Sequence, residues 1–285
     1  MQREFSKLIL TLREFFASRG YLEVFTPYLY EYPNIDLNVE PLYVEVSHCG
    51  KKKLMWLHTS PEPAMKKLLV SLKQSIFQIA RVFRNSECGR RNLTEFTMLE
   101  WYKVGANYRD LIEEVFDLLG FLGFKVYGSI SLEEAFYKYL KIELSEREDK
   151  LIKSARDLGI DALSWDEAFY GLYAKLESFL GFEGAVAVFD FPPKAGSYAK
   201  ISNSKAERFE VYLKGIELAN GWSEERDPEE LLRRARVFAK DLKVDEEFFK
   251  LCRDLPECAG CSIGVERLFM LFYDLDSLEK LNILQ

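Results

Sequence analysis

The sequence predicts an α+β fold built on a largely antiparallel sheet flanked by helices, and three observations lead there. Two hairpins stand out: residues 76–85 return through 96–104, and residues 209–213 return through 216–219 around Lys214-Gly215, a tight two-residue loop. Other segments repeat apolar residues at helical spacing. Strands and helices do not alternate as regular βαβ units, which disfavours a parallel sheet.

The elements follow in order. Phe5, Leu8, Ile9, Leu12, Phe15 and Phe16 share one helical face and Gly20 stops the run, so residues 3–18 form an amphipathic helix. The extended stretch YLEVFTP (21–27) precedes strands near 43–46 and 54–58. Ser60, Pro61 and Glu62 start the next helix, with Pro and an acid in its first turn. On the returning strand of the first hairpin, period two places Phe96, Met98, Glu100 and Tyr102 on one face, with Thr97, Leu99 and Trp101 on the other. Residues 108–122 form a helix, and Ser131 with Glu134 makes a capping box before another over 132–140. Residues 150–180 read as helical, most strongly 165–180. Strand AVAVFDFPP, the second hairpin, a helix over 228–242 and the segment GCSIGVERLFMLFYDL complete the chain. No linker, repeat or shift of composition interrupts it, so residues 1–285 are expected to form one domain with a helical insertion around 130–180.

A formal charge of -7 argues against a broad nucleic-acid footprint, which needs a clustered excess of Lys and Arg. No signal peptide or membrane-spanning apolar run is visible, so the cytoplasm is the expected location. The five cysteines are expected to be reduced thiols. Cys258 and Cys261 form a C-x-x-C, but Cys252, Cys88, and Cys49 with His48 supply no second ligand pair for zinc.

Three features carry chemistry. In FEVYLKGIELANGWSEE, residues 209–225, a turn on Leu213-Lys214 sets Glu210 opposite Glu217, and one on Lys214-Gly215 sets them diagonally. Either register puts both carboxylates on one face, so a cation, a proton or a cationic ligand is expected between them. Phe96 lies beside a loop mouth holding Arg84, Arg90 and Arg91, a combination suited to a nucleotide, with base stacking and guanidinium forks on phosphates. Glu100, between Leu99 and Trp101, is costly to bury ionised unless it is paired.

Three segments resemble the class II aminoacyl-tRNA synthetase signatures: SRGYLEVFTP motif 1, RVFRNSECGRRNLTEFTMLEW motif 2 and GCSIGVERLFML motif 3. EFTMLEWY and ELANGWSEE resemble the lysyl-tRNA synthetases and, more nearly, their short paralogues, the elongation factor P (R)-β-lysine ligases. Three features favour the paralogues: the chain starts at the motif 1 helix, with no anticodon-binding domain before it, and Ser60 and Ala219 replace the usual Ala and Gly.

The resemblance implies a class II synthetase-like antiparallel sheet and a homodimer. It also implies ATP and Mg²⁺, with lysine or β-lysine activated as an adenylate and passed to a lysine of elongation factor P rather than to tRNA. Arg84 would bind the α-phosphate, Arg91 the outer phosphates, and Phe96 and Arg267 would sandwich adenine. Glu210 and Glu217 would hold Mg²⁺, and Glu62 would meet the amino group near the carboxyl. Glu100, Tyr102 and Glu224 would take the side-chain ammonium and Asn220 the carboxylate, while Ser60 and Ala219 would shape the pocket. Period two puts Asn220 opposite in face to Glu217, so a bulge near Gly221 is expected. Ser86 with Glu87, Asn92 and Phe25 depart from the family pattern. Rival expectations are a tRNA-aminoacylating or tRNA-modifying core and a non-catalytic amino-acid or adenylate sensor.

Overall fold

The structure, a computed structural model, describes residues 1–86 and 89–278, and of His48 the backbone alone. The chain begins with α1 (Gln2–Ser18), β1 (Leu22–Glu23), β2 (Leu29–Tyr30), β3 (Tyr43–His48), β4 (Lys51–Leu57), α2 (Glu62–Leu72), β5 (Ile76–Phe83) and β6 (Glu95–Val104). It continues through α3 (Tyr108–Phe121), β7 (Val126–Ser131), α4 (Leu132–Ala135), α5 (Glu148–Asp157), α6 (Trp165–Glu177), β8 (Ala185–Phe191), β9 (Ile201–Ser202), β10 (Lys205–Leu213) and β11 (Ile216–Ser223). Last come α7 (Pro228–Ala239), α8 (Glu246–Leu251), β12 (Cys258–Gly264) and α9 (Val265–Phe272). These elements form two compact units: residues 107–223 make one, and the residues before and after them make the other.

In the unit made by the two ends of the chain, β6 lies between β5 and β12, antiparallel to both, and β1 joins β5 in parallel. A second sheet has the order β2-β4-β3. The face of β6 that carries Leu99 and Trp101 is closed by α1. Phe16 stacks on Phe77 at 5.1 Å and 19°, and its ring centroid lies 5.1 Å from that of Trp101. Deleting a fully buried aromatic of this kind costs about 3–5 kcal/mol, so the packing fixes which way the strand faces. Glu100 and Tyr102 are thereby turned away from α1, onto the opposite face.

The unit of residues 107–223 pairs β10 with β11 and with β8, both antiparallel, and β7 with β8 in parallel. The helices expected around 130–180 form an integral part of its core. Trp165, Phe169 and Tyr173, one turn apart on α6, stack at 4.8 Å and 7° and then at 5.6 Å and 9°. Tyr173 meets Phe191 of β8 edge-on at 5.6 Å. The expected helix over 132–140 is one turn of α-helix prolonged by a π-helical segment, Phe136–Leu140, behind the predicted Ser131–Glu134 capping box. β7, α8 and the parallel pairings were not legible in the sequence, because a short edge strand paired across a long connection leaves no turn signal.

The second hairpin turns at Lys214-Gly215, with φ of 53° and 69°, as a tight turn with both central residues left-handed requires. Leu213 faces Ile216 and Tyr212 faces Glu217, but Val211 then faces Ala219, so Leu218 is an extra residue. This bulge lies at Leu218 rather than near Gly221, and it reverses the parity of the strand beyond it. Glu210 consequently faces Asn220. Glu210, Tyr212, Glu217 and Asn220 therefore share one face, and Ala219, which alternation alone would put on the face of Glu217, goes with Val211 to the other.

Cys49, Cys252, Cys258 and Cys261 are free thiols, and Glu87 and Cys88 lie outside the described residues. Among the described residues no group of three or more His, Cys, Asp or Glu could hold a metal, and no helix is long and apolar enough to cross a membrane.

Candidate active site

A buried acidic cluster forms where the start of α2, the inner face of β6 and the residue after β11 converge. Ser60 accepts the Glu62 backbone N–H at 2.9 Å and donates to Glu100 Oε2 at 2.8 Å, so one hydroxyl both starts the helix and anchors the carboxylate. Tyr102, two residues along the same face, donates to Glu100 Oε1 at 2.8 Å. Glu224 is held by its backbone N–H, which donates to Cys258 O at 3.0 Å, and its carboxylate meets Lys66 at 2.6 Å. Lys66, one turn after Glu62 on α2, also donates to Glu62 at 2.5 Å. The predicted residues Ser60, Glu62, Glu100, Tyr102 and Glu224 are thus brought together.

Burial, with repulsion from Glu62 added, pushes the Glu100 carboxyl up to about 8, although the bonds from Tyr102 and Ser60 favour its ionised form. Burial and the neighbouring carboxylates hold the Tyr102 phenol well above its ordinary value, so it stays a hydrogen-bond donor. Burial works against the Lys66 ammonium, but Glu224 and Glu62 outweigh it and keep the group charged. A cup of carboxylate and phenol oxygens of this kind suits ammonium groups, which are compact donors without acceptors.

Sequence reasoning missed three residues here. Lys66 stands beside Lys67 in the sequence, as half of a solvated surface pair would, and only its position one turn after Glu62 hints otherwise. Ser262 lies directly across from Glu100 and Gly260 across from Tyr102, so β12 floors the pocket. A Cβ at Gly260 would fall 2.5 Å from Tyr102 Cε1 and 2.9 Å from Glu224 Oε1. Gly260→Ala is therefore expected to cost about 1–3 kcal/mol in urea unfolding. It should also raise KM for the amine substrate more than KM for the nucleotide, and equal changes would remove Gly260 from the pocket.

Beside this cup lies the basic part. Arg84 ends the outgoing strand, its Nε donating to Thr59 O at 3.3 Å and its guanidinium 5.3 Å from the centre of the Phe96 ring. Arg267 donates to Arg91 O at 3.1 Å and to Asn92 Oδ1 at 2.7 Å, which gives Asn92 a contact of its own. Glu266, buried at 1% exposure, takes the Thr97 N–H on both oxygens at 2.8 and 2.9 Å and so ties the start of α9 to the strand carrying Phe96. Ser86 donates to Glu40 at 2.7 Å.

The residues of β10 and β11 form their own cluster. Glu210 Oε1 accepts from Arg208 at 2.5 Å and Asn220 at 3.5 Å, and Oε2 accepts from Tyr173 at 2.6 Å and Tyr212 at 2.5 Å. Of the cation, proton or cationic ligand expected between Glu210 and Glu217, the structure supplies a cation beside Glu210, Arg208, which the sequence reading overlooked. Glu210 and Glu217 lie diagonally on one face, as a turn on Lys214-Gly215 sets them, but with both oxygens engaged Glu210 does not offer magnesium an open ligand position. The expectation of one ion shared by Glu210 and Glu217 does not fit this arrangement.

The chain matches the family described as tRNA synthetases class II (D, K and N) over residues 2–284. It is 47% identical over 273 residues to an elongation factor P (R)-β-lysine ligase homolog of Aquifex aeolicus, covering 94% of this chain and 93% of that protein. The elongation factor P (R)-β-lysine ligases of Avibacterium paragallinarum and Haemophilus influenzae are each 37% identical, over 96% and 97% of this chain and 92% and 91% of theirs. With its full-length match and an α+β fold of the expected kind, the chain belongs to the class II tRNA synthetase family of the D, K and N group.

Proposed function

We propose that the protein activates lysine or (R)-β-lysine with ATP and transfers the acyl group to a lysine amine of elongation factor P. A substrate carboxylate oxygen attacks the α-phosphorus and pyrophosphate leaves; the acceptor amine then attacks the acyl carbon, loses a proton, and AMP leaves. Positioning and electrostatic stabilisation carry both steps, and no covalent enzyme intermediate is required.

The observation that carries this reading is the cup of Ser60, Glu62, Glu100, Tyr102 and Glu224 next to Arg84 and Phe96. It is an amine receptor beside a guanidinium and an aromatic ring. Arg84 would contact the α-phosphate, Arg91 the outer phosphates, and Phe96 with Arg267 the adenine. Magnesium enters only as the ion that accompanies ATP, and no step is assigned to it. The names of the relatives support elongation factor P as acceptor and (R)-β-lysine as donor.

One incubation tests it: the protein with ATP, each lysine isomer, elongation factor P and tRNA, followed by mass analysis of both acceptors. Elongation factor P is expected to gain one lysyl or β-lysyl group; acyl groups on tRNA alone, or on neither, would overturn the reading. The same proposal takes the 1–285 segment as a single catalytic domain in the cytoplasm and as a homodimer joined through α1 and β1; Phe25, two residues past β1, is 78% exposed. Sedimentation as a monomer would remove the dimer.

A further inference from the structure

Lys66 is a lysine inside a pocket proposed to receive a lysine. It is 2% exposed, and its ammonium lies 2.5 Å from Glu62 and 2.6 Å from Glu224, within a group that also holds Glu100. Three carboxylates and one ammonium leave two negative charges when all are ionised. A diamino acid brings two ammonium groups. A monoamine would engage one of these charges and leave the buried Glu100 carboxyl to keep its proton, whereas a second ammonium gives Glu100 the partner that lets it ionise, and a third ammonium would lack a counter-charge.

We infer that Lys66 is a resident counter-cation that sets how many ammonium groups the pocket accepts, by holding Glu62 and Glu224 in place and cancelling one of three carboxylate charges. The inference rests on the function proposed above. Lys66 is a positioning residue in this account, since it acts through the two carboxylates. The bland alternative is a staple that merely ties α2 to the residue following β11. Such a staple would change stability but would leave substrate discrimination and the pH profile where they were.

The groups that face one another here are Glu62 and Lys66 on α2, Glu100 and Tyr102 on β6, Glu224, Cys252, Cys258, and Tyr30 beside Glu100. Removing the Lys66 charge raises the proton affinity of the remaining carboxylates together, so the acid limb of substrate binding moves to higher pH. Restoring the count elsewhere in the pocket moves it back.

The test compares the wild-type protein with Lys66→Met, Lys66→Arg and the double variant Lys66→Met/Glu224→Gln. Lysine-dependent ATP–pyrophosphate exchange is followed against pH, with norleucine as the monoamine comparison and with added propylammonium chloride. Lys66→Met is expected to raise KM for lysine at least tenfold at neutral pH, to move the acid limb up by about one pH unit, and to recover in part with propylammonium. Lys66→Arg should stay near wild type. The double variant, which removes one charge of each sign, should return the limb toward the wild-type pH even though KM remains raised through the loss of Glu224.

A folded Lys66→Met with wild-type KM, pH profile and discrimination against norleucine would overturn the inference. Should that variant not fold, Glu224→Gln alone carries the test: with Lys66 kept, the charge count expects the acid limb to move to lower pH and discrimination against norleucine to fall, and a limb and discrimination at the wild-type values would overturn it. If the wild-type protein shows exchange with neither lysine nor (R)-β-lysine, the proposed function fails, an outcome distinct from the failure of Lys66 alone.

Discussion

Arg84→Ala is expected to lower amino-acid-dependent ATP–pyrophosphate exchange by about 10²–10³-fold, the loss typical of removing one preorganised donor at a charge that develops in the transition state. The fold should survive. Arg84 is only partly buried, and among the described residues its side chain bonds to Thr59 O at 3.3 Å and stands over Phe96 at 5.3 Å. Those contacts together are worth about 1 kcal/mol, while the backbone N–H, which the substitution keeps, bonds to Thr94 O at 2.9 Å. A large loss of rate with a small loss of stability is thus the signature of the role. Arg84→Lys should fall close to Arg84→Ala, because an ammonium cannot reproduce the planar fork. Near-normal exchange in a folded Arg84→Ala protein would remove Arg84 from the chemistry.

Lysine binding is expected to tighten by as much as about tenfold per pH unit as pH rises toward about 8, where the free pocket loses its proton from Glu100. The sign follows from the burial of that carboxyl. Below about 8 the empty pocket holds Glu100 neutral, but an ammonium ligand needs it ionised, so binding expels a proton. The effect on stability runs the other way. A folded-state value above the ordinary carboxyl value means that Glu100 contributes stability at low pH and that this contribution is lost as pH rises through about 8. Bound diamine reverses the loss. Titration calorimetry in two buffers of different ionisation enthalpy reads the released proton directly. Glu100→Gln should abolish the proton release and raise KM for the amino acid more than for ATP. An unchanged proton count, or equal effects on the two constants, would count against an ammonium contact at Glu100.

How much of this was legible depends on how local the signal was. The β5–β6 hairpin, the α1 stripe, the start of α2 and the capping box at Ser131 were readable because each rests on residues within a few positions of one another. The face of β6 was readable for the same reason, since alternation alone separates Glu100 and Tyr102 from Leu99 and Trp101. The second hairpin was readable only in part. Its turn lay where Lys214-Gly215 indicated, but the extra residue at Leu218 moved Asn220 onto the face of Glu210 and sent Ala219 off it. A bulge is decided by the pairing of both strands, so one strand's sequence does not locate it.

What the sequence determined by itself was the inventory and the local geometry: an α+β chain with class II motifs in order, and carboxylates, a phenol and arginines spaced to face a common side of their own strands. The tertiary structure alone decided which charges meet. Arg208 answers Glu210, and Lys66 answers Glu62 and Glu224, although in sequence Lys66 stands 158 positions from Glu224 and looks like half of a surface pair. The physical reason is burial. Side chains drawn from distant segments lose water together, and only in that shared dry space does a carboxylate require a partner strongly enough to select one.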